Sequence, residues 1–346
     1  MAAESAKATA WAIFDRIVAD AAPAGVHTNP WHRGSGQRPD FAPDFAVLQR
    51  LLGVPLYLRA DTNTGVPALA LDVWLSYELR RAGFEPDAVW PRSTNPRIMP
   101  RAIASLLAEL PRHEREPLQR RLFGRTAMKG VVGSSANILG KNYVKQVDVV
   151  ISDWDTGPEL LISTKRMDSS FGKNAANRVE ESYGDVKNLR LRHPLAALGF
   201  VYGLRSTILE TEPNKAEWLI DLLQKLGNED DAYHAVALVM IDYEAEAAEP
   251  TDHDVEYADD PADDPDDDPL VAAGVTPAQM DSEQGTLDFA GVEQALGALP
   301  EVTIRHDEVP DALQPSVFLA AMVRRVLDVT PVARHREARV RLRDPA

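Results

Sequence analysis

The chain has 346 residues, a net charge of −16 and no cysteine. Its length suffices for one large domain or two ordinary ones. The absence of cysteine excludes a disulfide framework, cysteine-based zinc sites and thiol catalysis. No apolar run approaches the ~20 residues of a membrane-spanning helix, and residues 1–10 lack an apolar signal core. We therefore expect a cytoplasmic protein without a membrane partner.

The acidic charge is concentrated in one segment. Residues 242–268 contain fourteen Asp or Glu and no Lys or Arg, so this segment accounts for nearly all of the net negative charge. By contrast, residues 101–210 carry seventeen basic against twelve acidic residues, and the tail from Arg324 carries seven against three. Phosphate binding requires a local basic surface rather than a basic total, so nucleic acid is not excluded as a partner.

Residues 1–125 form a mostly helical N-terminal region. Apolar residues at helical spacing predict helices at 6–20, 45–52, 68–82, 101–110 and 116–123. The residues between Pro23 and Pro43 are rich in Gly, Pro and polar side chains, which predicts a loop.

Strands and helices alternate in residues 126–243, which predicts a mixed α/β core. Two strands rich in apolar residues, 144–152 and 159–166, flank a turn and form a candidate hairpin. The remaining predicted elements are a helix at 173–186, a strand at 194–202, a helix at 215–226 and a strand at 234–242.

The last third of the chain begins with a low-complexity segment. Residues 244–282 form an acidic, proline-containing linker that we expect to be disordered. Its simplest role is a solvated tether, and a sharper alternative is that it mimics DNA and competes for a basic cleft. Residues 283–346 form a C-terminal helical segment with a basic tail, including a helix at 291–299, a short strand at 302–306 and a helix at 315–329.

The residues that carry chemistry lie between 148 and 181. Asp148 stands in an apolar strand, where a carboxylate is costly unless a cation compensates it. Ser163 and Lys165 are two residues apart on the next strand and share a face, so a hairpin would bring Lys165 beside Asp148. On the following helix, Glu180 flanks the predicted apolar face and Glu181 points nearly opposite.

Each of these features also has a structural interpretation. Asp148 and Lys165 could be an ordinary buried ion pair, and Glu180 with Glu181 could belong to a solvated helix face. The basic residues of 165–192 could form a plain surface.

Taken together, Asp148, the hairpin turn, Ser163-Thr164-Lys165 and the following helix resemble the PD-(D/E)xK nuclease superfamily, whose fold is restriction-endonuclease-like. The spacer of fourteen residues (149–162) fits that motif. Ser163 stands where the usual motif has an acid. A subgroup of restriction enzymes has Ser or Cys there and carries the acid on the next helix, where Glu180 and Glu181 lie fifteen and sixteen residues beyond Lys165. The resemblance covers residues 141–202.

The resemblance implies an α/β (α+β) fold, with a mixed sheet core flanked by helices, and a Mg²⁺-dependent DNA endonuclease, in particular a type II restriction enzyme. Asp148 and Glu180, or Glu181 in its place, would hold Mg²⁺, Ser163 would bond a water, and Lys165 would orient the attacking water. The residues implied to contact DNA are Arg166, Lys173, Asn174, Asn177, Arg178, Lys187, Arg190 and Arg192.

The implied partners are double-stranded DNA, a second copy of the chain that cuts the other strand, and a DNA methyltransferase acting on the same site. Two alternatives stay open. One is a non-catalytic DNA-binding or partner-binding protein on the same fold, which Ser163 in place of an acid favours. The other is a repair or mobile-element nuclease without site specificity.

Overall fold

The structure is a computed structural model that describes residues 2–34, 36, 38–123, 132–133, 135–169, 171–244 and 289–346. Most of the predicted acidic linker lies outside these residues. The described chain is a mixed α/β fold in which helices cover both faces of a central sheet. None of the described helices combines the length and the apolar composition that crossing a membrane would require.

Most of the described helices lie where the sequence pattern predicts them, and the helices at Ile208–Thr211 and Arg336–Arg343 have no predicted counterpart. In order they are α1 (Ala2–Ala21), α2 (Phe45–Tyr57), α3 (Val66–Arg81), α4 (Arg101–Glu109), α5 (Arg112–Phe123), α6 (Phe171–Arg192), α7 (Ile208–Thr211), α8 (Pro213–Asn228), α9 (Phe289–Gly297), α10 (Pro315–Val329) and α11 (Arg336–Arg343). Helix α2 begins at Phe45 because the Asp44 carboxylate accepts the Val47 N–H at 3.1 Å. The predicted helices of the N-terminal region are confirmed, and α10 has the predicted bounds.

Ten strands form three sheets in the described part of the chain. They are β1 (Trp31–His32), β2 (Asp40–Phe41), β3 (Val89–Trp90), β4 (Ala136–Leu139), β5 (Val144–Val147), β6 (Val149–Asp153), β7 (Gly157–Met167), β8 (Ala197–Arg205), β9 (Ala235–Asp242) and β10 (Thr303–Ile304). The central sheet has the order β10-β9-β8-β7-β6-β3, and β1 with β2 and β4 with β5 form two small antiparallel sheets. Strands β7, β8 and β9 run parallel, and the other pairs are antiparallel.

The predicted hairpin is present as β6 and β7. Val149 pairs with Ile162 and Asp153 with Gly157, and Gly157 has a φ of 72°, which a residue without Cβ adopts without strain. The prediction of one continuous strand over 144–152 is wrong. The chain changes sheets at Asp148, because β5 pairs with β4 whereas β6 pairs with β3 and β7.

Two apolar cores lie on opposite faces of the central sheet. The first contains α1, α2, α3 and α10 and includes Val149 and Ile162 of the hairpin. The second contains α6 and α8 and includes Val150 and Leu161. The N-terminal helices therefore share a core with the sheet, since they cover one of its faces. Helix α10 approaches β8 so closely that a Cβ at Gly199 would lie 2.8 Å from side-chain atoms of α10.

Candidate active site

Asp148 lies at the break between β5 and β6 and is half-buried. Its Oδ2 accepts the backbone N–H of Thr164 at 2.7 Å. The register that pairs Val149 with Ile162 places Asp148, which lies just outside the paired residues, level with Ser163. The sequence-based expectation that the hairpin brings Asp148 to the Ser-Thr-Lys segment is thus met by the backbone geometry. The hydrogen bond to Thr164 also gives a physical reason for the break in the strand.

A second carboxylate, which the sequence interpretation missed, belongs to Asp72 on α3. The hydroxyl of Thr164 donates to Asp72 Oδ1 at 2.6 Å, so the backbone and the side chain of one threonine hold two different acids. Asp72 is 8% exposed. The available signal was a single carboxylate among the otherwise apolar residues 66–75 of α3, because such a group needs a partner.

The electrostatics of Asp72 show that the two acids interact. Burial raises the pKa of the Asp72 carboxyl well above its usual value, and the negative charge of Asp148 raises it further. The Thr164 hydroxyl and the positive charges of Lys7 and Lys165 act in the opposite direction. The site therefore combines two carboxylates that repel each other with a lysine close enough to influence them.

Ser163 and Lys165 are both half-buried on the same face of β7. Ser163 lies near Tyr233, two residues before β9, and its hydroxyl acts to lower the pKa of the phenol. The Tyr233 hydroxyl donates to the Ser182 carbonyl at 2.9 Å. Burial raises the pKa of Tyr233, and the charges of nearby carboxylates, Asp148 among them, raise it further. Tyr233 is thus a neutral phenol that links β7, α6 and the start of β9.

Glu180 and Glu181 are both exposed on α6. The buried side of this helix is formed by Val179, Ser182, Asp185, Val186 and Leu189. Helical spacing of the apolar residues predicts a buried face that includes Val179, Tyr183 and Val186, and this prediction is wrong for Tyr183, which is 39% exposed. Polar residues occupy that face, so the helix has a different rotation from the one that apolar spacing indicates, and Glu180 is not at its buried edge.

The buried acid of α6 is Asp185. It accepts a hydrogen bond from the Tyr143 hydroxyl at 3.1 Å and forms an ion pair with Lys145 at 2.9 Å. These contacts join α6 to the β4–β5 hairpin. Asp185 is therefore matched by a cation, in contrast to the mutually repelling pair at Thr164.

The predicted DNA contacts have different surroundings. Arg166 is 7% exposed, forms an ion pair with Asp168 at 2.9 Å and donates to the Pro67 carbonyl, so its guanidinium faces the protein interior. Lys187 pairs with Asp231, and this bond raises the pKa of Lys187.

The other predicted DNA contacts all lie on α6. Arg190 is half-buried and donates to the Ala232 carbonyl at 2.7 Å, and Arg192 is exposed at the end of α6. The side chains of Lys173, Asn174, Asn177 and Arg178 lie outside the described part of the structure. Among the predicted DNA contacts whose side chains are described, Arg192 is exposed, whereas Arg166, Lys187 and Arg190 each bond to another part of the protein.

The donor set at Thr164 fits a magnesium ion. Mg²⁺ prefers carboxylate oxygens and commonly takes only one or two of them, with waters and substrate phosphates completing its coordination. Asp72 and Asp148 supply two carboxylates whose mutual repulsion a divalent cation would relieve. In the described ranges there is no group of three or more His, Cys, Asp or Glu arranged to hold a metal ion, so a closed, all-protein site is not formed there.

No family model matches the chain, and comparisons with curated proteins and with solved structures find no match. Function is therefore argued from the geometry of the site.

Proposed function

We propose that the protein is a Mg²⁺-dependent DNA endonuclease, and in particular a type II restriction enzyme with a restriction-endonuclease-like core. The observation that carries this proposal is the convergence of Asp72 and Asp148 on Thr164, with Lys165 next in the chain. The mixed sheet with helices on both faces agrees with the fold class that the resemblance implies.

Asp72 and Asp148 would hold the metal, with Asp72 in the role that the resemblance assigns to Glu180. When bound, Mg²⁺ supplies Lewis-acid stabilisation of the negative charge that develops on the phosphate. Thr164 fixes both carboxylates through its N–H and its hydroxyl, so neither acid needs to reorient on binding.

Lys165 supplies the positive charge of the chain itself. Its ammonium group would orient the attacking water and stabilise charge on a phosphate oxygen, as a preorganised donor in a partly desolvated site. Ser163 shares its face of β7, close to Tyr233, and would hydrogen-bond a water there.

Digestion of unmethylated phage DNA tests this proposal. Wild-type protein with Mg²⁺ should give discrete bands, and EDTA should abolish them. Asp148→Asn keeps an oxygen that can accept the Thr164 N–H, so a folded but inactive variant is expected, and Lys165→Met should also be inactive. Lys225→Met is the matched control, because Lys225 is exposed on α8 and pairs with Asp221 in the same helix. Bands from either site variant at the wild-type rate would refute the proposal.

A non-catalytic DNA-binding or partner-binding protein is the second candidate. The hydrogen bonds from Thr164 to Asp72 and Asp148 favour it, because they already satisfy one oxygen of each acid and so could be purely structural. In that case DNA would be bound without cleavage at any divalent metal concentration. A smear instead of bands would favour the non-specific repair or mobile-element nuclease.

A further inference from the structure

Three basic side chains converge at the amino end of β9. They are Arg190 near the end of α6, His234 immediately before β9, and Arg325 on α10. We call them the His234 cluster. Helices α6 and α10 pack on opposite faces of the central sheet, so the two arginines come to His234 from both sides. Both of their positive charges act to lower the pKa of the imidazole, which shows that they lie close to it.

The packing of α10 explains why Arg325 reaches this end of the sheet. A Cβ at Gly199 of β8 would lie 2.8 Å from side-chain atoms of both Phe318 and Met322 on α10. Gly199 pairs with Ala235, which follows His234 in the chain. Arg325 lies three residues beyond Met322, about 4.5 Å further along the helix axis. This position agrees with the effect of Arg325 on His234.

Neither arginine has a carboxylate partner within the described ranges. Arg190 donates through Nη1 to the Ala232 carbonyl at 2.7 Å. The Arg325 side chain has no hydrogen bond or ion pair there, and its Nε is buried without an acceptor. The carboxylate of Asp231 lies near Arg190, but it pairs with Lys187. The cluster therefore carries positive charge that no acid of the described chain offsets.

His234 adds a neutral donor to this charge. Its Nδ1 accepts the Leu198 N–H at 3.0 Å, so the neutral ring carries its proton on Nε2. Burial, assisted by the charges of Arg190 and Arg325, lowers the pKa of His234 to about 4. The ring is thus neutral at pH 7 and presents one N–H.

Solvent reaches the cluster, because all three side chains are half-buried. The Arg190 Nη2, the Arg325 Nη groups and the His234 Nε2 have no hydrogen-bond partner among the described residues, and none of them is a buried atom. Guanidinium groups with free, accessible N–H groups bind phosphate oxygens through charge-assisted hydrogen bonds. An anion would supply both the acceptors and the negative charge that the cluster lacks.

We infer that the His234 cluster binds an oxyanion of the phosphate class. The anion is either free phosphate or a backbone phosphate of DNA, and the second assignment rests on the proposed function.

The register of the sheet gives the distance from this cluster to the candidate active site. Ser163 is level with Phe200 and Val236 on the neighbouring strands, and Val236 lies two residues after His234. Two strand spacings and two residues along a strand separate the backbones of Ser163 and His234 by about 12 Å. Phosphates of one DNA strand recur about every 3.4 Å along the helix axis, so the cluster is a few phosphates from the acids.

Nuclear magnetic resonance of the histidine Cε1–H signals, without metal or DNA, tests the site itself. Inorganic phosphate is titrated at pH 7 and constant ionic strength, and the signal of His234 is identified by its loss in His234→Gln. The His234 signal should shift saturably with phosphate, whereas the signal of His113, which is exposed on α5, should not. No saturable shift of His234, or the same shift with chloride, would overturn the inference.

Charge removal then tests the two arginines. Arg325→Gln removes a charge without removing a hydrogen bond of the described chain, and it should weaken phosphate binding at least fivefold, as should Arg190→Gln. Arg50→Gln is the matched control, because it makes the same change at an exposed arginine of α2, and it should stay within twofold of the wild type. Equal affinities for folded Arg325→Gln and Arg50→Gln would overturn the inference. These readouts do not depend on cleavage, so an inactive enzyme would not affect them.

A second arm identifies the source of the anion. Short duplex DNA is bound to an Asp148→Asn background, and the affinities with Arg325→Gln and with Arg50→Gln are compared. A backbone phosphate in the cluster predicts at least fivefold weaker DNA binding with Arg325→Gln, a smaller salt dependence and competition by free phosphate. Equal DNA affinities together with intact phosphate binding to the wild type would overturn the DNA assignment and leave a site for free phosphate.

Discussion

The Asp72→Asn substitution is expected to stabilise the metal-free protein and to weaken its response to Mg²⁺. Asparagine retains an oxygen that accepts the hydrogen bond from the Thr164 hydroxyl, which lies 2.6 Å from Asp72 Oδ1. It removes a negative charge from a side chain that is 8% exposed, and the burial and the charge of Asp148 both disfavour that negative charge.

The expected gain follows from two opposing contributions. Two like charges that both bond to one residue repel by about 2–3 kcal/mol at an effective dielectric constant of about 20. Exchange of a charge-assisted hydrogen bond for a neutral one costs about 1 kcal/mol. The free energy of unfolding at neutral pH should therefore rise by about 1–2 kcal/mol.

Urea unfolding followed by circular dichroism, with EDTA or with Mg²⁺, measures both effects. Mg²⁺ at ten times its dissociation constant should stabilise the wild type by about 1.4 kcal/mol and leave Asp72→Asn nearly unchanged. Asp185→Asn is the matched control, because it makes the same change at a buried acid that pairs with Lys145. Loss of that ion pair should lower the free energy of unfolding by about 3 kcal/mol. A less stable Asp72→Asn with an undiminished response to Mg²⁺ would refute the reasoning.

Three other outcomes are expected. Lys165→Met should lower single-turnover DNA cleavage at least a hundredfold while a gel-shift assay shows DNA binding within a few-fold of the wild type. Glu180→Gln and Glu181→Gln should each change the cleavage rate less than twofold, because both side chains are exposed, and a hundredfold loss in either would restore it as the second acid. Burial raises the pKa of Glu78 to about 7. Its contribution to the free energy of unfolding is therefore complete below about pH 4.5 and is lost as the pH rises through 7. Chemical unfolding across this range should show a shallower decline of the free energy of unfolding with pH in Glu78→Gln.

The hairpin and most helices were predictable because they depend on local patterns. Alternation and a dense turn signal define β6 and β7, and apolar spacing defines α10 to the residue. The end of β5 was not predictable from local patterns. Asp148 interrupts the strand because its carboxylate accepts a hydrogen bond from Thr164 of β7. Val147, Val149 and Val150 around it give no local sign of the break.

Only the part of the candidate site that lies at the β6–β7 hairpin was predictable from the sequence. Asp72 lies far away in sequence, and its contact with Thr164 arises from the packing of α3 on the first-core face of the sheet. The rotation of α6 was misjudged because Ser182 and Asp185 are buried polar residues. The Ser182 carbonyl accepts the Tyr233 hydroxyl, and the Asp185 carboxylate accepts the Tyr143 hydroxyl. A periodicity argument counts apolar residues and so cannot place a helix face built in part from polar ones.

The most direct test of the central claim is metal binding at the paired acids. Mn²⁺, which electron paramagnetic resonance detects and which substitutes for Mg²⁺ on oxygen ligands, is titrated into the wild type, Asp72→Asn, Asp148→Asn and Glu180→Gln. The proposed site predicts saturable binding to the wild type and to Glu180→Gln, and at least tenfold weaker binding to both aspartate variants. Wild-type affinity in Asp72→Asn, or no saturable binding to the wild type, would contradict it.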